Sequence, residues 1–198
     1  MQNLKLPHRI VLVNYLGGSG KPRKTPDELE KWISLAVIFE TFMLGKTEFE
    51  NNQLFIKNPE KTGHSMIDDT VAFLKNLDDT SIPENWLPGF VHHSNTYNHV
   101  LENLKENNLL ISKRSSFLGL KGSEKTMPAS DDVAKIVKRY LSEISSNGSR
   151  SFRDELTIRI IAEAGLVKLD TSKVVQQKEA DDEAMAFFTE AIEKLKSL

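Results

Sequence analysis

One stretch of this chain, Gly17-Gly18-Ser19-Gly20-Lys21, has the composition of a phosphate cradle and follows an apolar run. Glycine loops of this kind aim backbone N–H groups at phosphate oxygens while a lysine neutralises their charge. The spacing does not fit. A phosphate-binding loop needs a glycine five residues before Gly20, where Tyr15 stands, and a magnesium-holding hydroxyl after Lys21, where Pro22 stands. The segment therefore reads as a flexible connection.

His92, His93 and His99 crowd a second region that could in principle ligate a metal. Consecutive histidines diverge, whereas helical ligand pairs stand four residues apart, and residue 95, one turn before His99, is an asparagine. His64, Ser65 and Asp68 or Asp69 supply a base, a nucleophile and an orienting acid on paper. No oxyanion hole or strained nucleophile turn accompanies them, so both aspartates read as acids of a helix's first turn. No catalytic residue, metal or cofactor is expected, and the chain reads as a binding protein rather than an enzyme.

Between Ile111 and Met127 the residues suggest surface chemistry. Phe117, Leu118 and Leu120 sit among small and polar residues, with Lys113, Arg114, Lys121 and Lys125 around them. On a protruding β-ribbon these would form an apolar tip with a basic rim, which suits an anionic bilayer: each cation near the surface adds about 1 kcal/mol while the apolar side chains enter the interface. The same composition also suits a ribbon folded back on the core or paired with a second subunit.

The elements that must position these groups are mostly helical. Leu4 to Leu16 is apolar on nearly all sides, which fits a buried helix or a buried strand equally. Thr25-Pro26-Asp27-Glu28 supplies an N-cap, a first-turn proline and a capping-box acid, and predicts a helix from there to Gly45. Thr47 to Ile56 predicts a two-stranded ribbon turning at Asn51 and Asn52. Ser65 to Leu77 predicts a helix, and Pro83 and Pro88 punctuate a short segment around Trp86.

Asn95 to Asn107 predicts a helix with Tyr97, Val100, Leu101 and Leu104 inward, followed by the basic hairpin. Three further helices complete the pattern. Asp131 to Ser145 faces Val133, Ile136, Val137, Tyr140, Leu141 and Ile144 inward, and a helix capped by Ser151 and ended by Gly165 is expected centrally in the core. Asp181 to Leu195 is expected on the outside.

Composition sets the class. The 198 residues form one domain, 1–198, long enough to bury roughly 70% of the unfolded surface. The fold class is mainly α: a single-domain helical core with peripheral amphipathic helices and one or two β-hairpins. A net charge of -2 gives no global attraction to nucleic acid or anionic lipid, so any attraction must be local. The absence of cysteine removes disulfides, thiolate metal sites and thiol nucleophiles. Ile10 to Val13 falls far short of a membrane span, which needs ~20 apolar residues, and no small-residue cleavage site follows it.

Several segments, taken in order, resemble the Golgi phosphoprotein 3 family. They are Leu35 to Leu44 with Phe39, Glu40 and Gly45, then Lys61 to Asp69, Leu101 to Leu110, Phe117-Leu118-Gly119-Leu120, Met127-Pro128 before Asp131, and Arg153 to Leu166. The resemblance runs from about Leu4 to Leu166 and rests on collinearity. It implies a mainly helical domain with a projecting hairpin used in membrane contact or self-association. It also implies a phosphatidylinositol 4-phosphate ligand and a peripheral adaptor that holds protein tails.

Where the family carries its headgroup tryptophan and three arginine-type donors, this chain has Thr25, Ser34, Ser94 and Tyr97. Hydroxyls are weaker phosphate donors than guanidinium groups. Arg23, Lys24, Lys31 and His93, together with Tyr97, are the candidates for a displaced anionic headgroup site. The expected role is thus a cytoplasmic, peripheral membrane adaptor that meets anionic, phosphoinositide-like lipid, with a protein tail and a second copy of the chain as further partners. The alternative is a winged-helix nucleic-acid binder, in which Tyr97 to Asn107 would be the recognition helix and the hairpin the wing. Glu102 and Glu106 on that helix would repel phosphates, so nucleic acid is not the expected partner.

Overall fold

The computed structural model describes residues 1, 4–16, 21–51, 53–78, 80, 83–93, 95–117, 120–146, 151–168 and 182–197. Side chains at 84, 93, 115–117, 120–123 and 182 fall outside that description. The fold is mainly α, 63% helical, with two antiparallel two-stranded ribbons among the described residues.

The first apolar run is a helix, α1 (Leu6–Asn14), with all nine residues buried. Its periodicity could not separate helix from strand because both faces are covered. The first free N–H of α1, at Leu6, donates to the buried Glu40 carboxylate at 2.8 Å, which satisfies a donor that a buried helix end would otherwise leave unpaired. Asn14 at the other end fixes the approach to the next helix: its amide exchanges two hydrogen bonds with the Lys24 backbone at 2.8 and 3.0 Å.

Helix α2 (Pro26–Met43) begins with the expected capping box. The Thr25 hydroxyl accepts from the Glu28 N–H, and the Glu28 carboxylate accepts from the Thr25 N–H. Gly45, at φ +65°, takes the left-handed turn that releases the chain into β1 (Thr47–Glu50). β1 pairs with β2 (Gln53–Ile56) around Asn51, whose φ of +51° an asparagine tolerates well. Helix α3 (Ser65–Lys75) buries Met66, Ile67, Thr70, Val71 and Leu74, the face that its spacing predicts.

The tryptophan segment is a continuous helix, α4 (Pro83–His93), with Pro88 inside it rather than ending it. Helix α5 (Thr96–Glu106) then leads into the second ribbon, β3 (Leu110–Phe117) and β4 (Leu120–Pro128). Helix α6 (Asp131–Ser145) departs from expectation at one position: Ile136 is 43% exposed, because α6 packs mainly through Val137, Tyr140 and Ile144.

Helix α7 (Phe152–Glu163) is capped by Ser151 and packs on α1, α2 and α6. Helix α8 (Asp182–Lys196) is not an outer helix. Phe187 and Phe188 are both buried, and Phe187 lies 4.8 Å from Phe49, 6.1 Å from Trp86 and 6.3 Å from Phe39, centroid to centroid. A single apolar stripe misses this, since Ala184, Phe187 and Ala191 extend the buried face past the expected Met185, Phe188, Ile192 and Leu195. The main buried cluster runs from Leu6 to Leu195, and a smaller one joins Tyr140, Ile144 and Ile158.

Candidate functional site

Most of the residues proposed for an anionic headgroup already have partners within the chain. Arg23 is exposed, and its guanidinium donates to the Leu166 carbonyl just beyond α7. Lys24 lies nearby and pairs with Glu28 at 3.1 Å. Lys31 instead donates to the Leu195 carbonyl at 2.6 Å, at the end of α8, with its ammonium 5.6 Å from the Trp32 ring. There it complements the negative end of a helix. Tyr97 is 1% exposed and its hydroxyl lies 2.9 Å from that of Tyr15; burial first, then the Tyr15 bond, pushes its phenol far above the ordinary value. The side chain of His93 lies outside the described residues.

The head of α5 already holds an anion. Glu30, on α2, accepts from the Thr96 and Tyr97 N–H groups at 2.7 and 3.0 Å, and from the Thr96 hydroxyl. Ser34, fully buried, lies 3.1 Å from the Thr96 hydroxyl, and Thr25 is occupied as the α2 cap. These helix-end donors therefore meet an internal carboxylate, and an incoming phosphate at this spot would face like charge.

The β3–β4 ribbon has the opposite character. Its main contacts with the body are made to its sequence neighbours, β3 to α5 and β4 to α6. Leu110 at its foot is fully buried and Ile111 is half-buried, but Ser112, Lys113 and Arg114 are all exposed. Successive strand residues point to opposite faces, so three exposed in a row place both faces of β3 in solvent at that level. An eight-residue strand reaches about 27 Å.

Lys113 stands directly opposite Lys125, a like-charged pair that disfavours the bare ribbon. On the other face Arg114 meets Glu124 at 3.4 Å. The register shifts between Arg114 and Ser116, and the ladder closes on the Phe117–Leu120 pair. The tip residues Leu118 and Gly119, and the side chains of Phe117, Leu120 and Lys121, fall outside the described residues.

A cleft of about 610 Å3 opens where α1, the start of α3 and α5 meet the foot of the ribbon. The sequence reading missed it. His64 and His99, far apart in sequence, line it together with Lys5 and His8, which carry no motif. His8 is 7% exposed and its Nε2 lies 2.8 Å from the Asn103 amide oxygen, while its Nδ1 is buried without a partner. Burial, reinforced by the charges of Lys5 and His64 and partly offset by the Asn103 bond, pushes the imidazole below its ordinary value of 6.5. Among the described residues no group of three or more His, Cys, Asp or Glu side chains is arranged to hold a metal.

The described residues combine a helical body with a basic ribbon, an internally capped α5 and a basic cleft. Residues 6–195 match the family described as Golgi phosphoprotein 3 (GPP34), and the chain belongs to that family. The family is non-enzymatic, Golgi-associated, and binds lipids and proteins. No curated protein matches the chain. Among the described residues no helix is long and apolar enough to cross a membrane.

Proposed function

We propose that the chain is a non-catalytic, peripheral membrane adaptor whose contact with anionic lipid is made by the β3–β4 ribbon. The observation that carries this reading is the exposure of Ser112, Lys113 and Arg114 in succession, above a foot anchored by the buried Leu110. Lys113, Arg114, Lys121 and Lys125 outnumber the single ribbon acid, Glu124. At about 1 kcal/mol for each cation near the surface, this excess gives a reversible attachment, which insertion of Phe117, Leu118 and Leu120 then strengthens.

Glu30 at the head of α5 supports general anionic attraction over capture of a phosphoinositide there. The exposed side of α5 does not favour nucleic acid: Lys105 is paired with Glu102 at 2.9 Å and Glu106 is exposed. Sedimentation with phosphatidylserine vesicles tests the membrane reading. Lys113→Glu with Arg114→Glu should cut binding by at least about tenfold, and alanine at Arg23, Lys24 and Lys31 should leave it nearly unchanged. Loss through the second set alone would move the contact off the ribbon.

A further inference from the structure

The cleft of about 610 Å3 lies within the roughly 300–1,000 Å3 range of small-molecule sites. Its floor and rim differ in chemistry. Met66, Val100 and Leu104 are buried and make the floor apolar, while His64, His99, Asn103 and Asn107 at the rim are exposed. All four ionisable side chains that line it, Lys5, His8, His64 and His99, are basic.

Two of the nearby acids are already engaged, and Asp69 lines the adjoining hollow with His99. Asp68 accepts from the Thr62 N–H and hydroxyl at 2.7 and 2.8 Å and from the Gly63 N–H, and Glu40 is held by Arg153 and the Leu6 N–H. Lys5 is half-buried on the wall, and its ammonium has no ion-pair or hydrogen-bond partner among the described residues. A partly desolvated ammonium with no partner is costly unless an anion arrives. Asn103 is held in place by His8, so one polar donor of the rim is preorganised.

We propose that this cleft binds a small amphiphilic anion, with a carboxylate or phosphate head held by Lys5, His99 and Asn103 and a short apolar tail laid over Met66, Val100 and Leu104. None of the ribbon charges lines the site, and His99 stands on the first turn of α5. The cleft lies against the ribbon's foot, since Leu109 on its wall directly precedes Leu110 of β3. Burial is the largest effect on Lys5 and holds its ammonium below the ordinary value, so a bound anion favours its charged form.

Isothermal titration with octyl phosphate, octanoate, inorganic phosphate, octanol and octylamine tests this on the full chain. Octyl phosphate and octanoate should bind, with inorganic phosphate, octanol and octylamine each at least about tenfold weaker, as expected when either the charged contact or the apolar burial is lost. Lys5→Gln and His99→Ala should each weaken octyl phosphate by about tenfold with an unchanged melting curve in the absence of ligand. Lys113→Glu with Arg114→Glu should leave this titration unaltered, which separates the cleft from the ribbon reading. Vesicles containing phosphatidic acid distinguish the source of the ligand: displacement of octyl phosphate points to a bilayer lipid, and unchanged titration to a soluble metabolite. Equal binding of octylamine, equal binding of inorganic phosphate, absence of binding by both octyl anions, or indifference to Lys5→Gln and His99→Ala overturns the proposal.

Discussion

Arg9 on α1 ties that helix to α6 and α7, which lie far along the sequence. It is 2% exposed, donates to Asp154 at 2.7 Å, to the Tyr140 hydroxyl at 2.6 Å and to the Leu4 carbonyl at 2.9 Å. Its guanidinium carbon stands 5.2 Å from the Tyr140 ring centroid. Removing one partner of a buried pair leaves the other uncompensated, so Arg9→Met should destabilise the chain by about 3 kcal/mol in urea unfolding. Two groups give acid sensitivity of the same sign in separate windows. His8 has a depressed folded value, so below its ordinary 6.5 the unfolded chain takes a proton that the folded one refuses, and stability falls with pH from there. Burial alone would raise Asp154, but bonds from Ser151 and Tyr140 and the Arg9 charge outweigh it and hold the carboxyl below 3.8. Its stabilisation is complete above that value and is lost as pH falls through the lower folded one. Urea midpoints at pH 7.5 and 5.5 should therefore differ less in His8→Gln than in the parent chain; an equal difference would remove His8 from this role.

At the scale of elements, the capping signals were legible because they are local. Thr25 with Glu28, and Ser151 with its first-turn acid Asp154, mark the starts of α2 and α7, and Gly45 and Gly165 take positive φ just past their ends. What the sequence left open required tertiary information. The type of α1 depended on coverage from all sides, and the burial of Phe187 on α8 depended on a pocket among Phe39, Phe49 and Trp86. Ile136 was misread because α6 packs through a narrower stripe than its apolar residues suggest. The cap on α5 is also nonlocal: Glu30 reaches it from α2, which no reading of α5 alone reveals. Glu30→Gln weakens that cap and should cost about 1 kcal/mol, read as a lower thermal midpoint.

For the whole molecule, the order of helices and the two ribbons were visible in the sequence, and the family resemblance was carried by their collinearity. The arrangement of side chains into sites was less accessible. Headgroup candidates are tied to helix ends, with Arg23 on the Leu166 carbonyl just beyond α7 and Lys31 on the Leu195 carbonyl of α8. Residues with no shared motif converged instead, because α1, α3 and α5 bring Lys5, His8, His64 and His99 around one cleft. The proposed bilayer contact is on the ribbon. Attraction through exposed charges should weaken as added salt shortens the screening length to about 10 Å at 0.1 M.

The absence of cysteine makes the decisive measurement simple, since Phe117→Cys offers a unique thiol for an environment-sensitive dye. Emission from that dye should shift to the blue on adding phosphatidylserine vesicles at low salt, return on raising the salt, and stay unchanged with neutral vesicles. Unaltered emission with anionic vesicles, under conditions where the protein still sediments with them, would contradict the claim that the ribbon makes the contact.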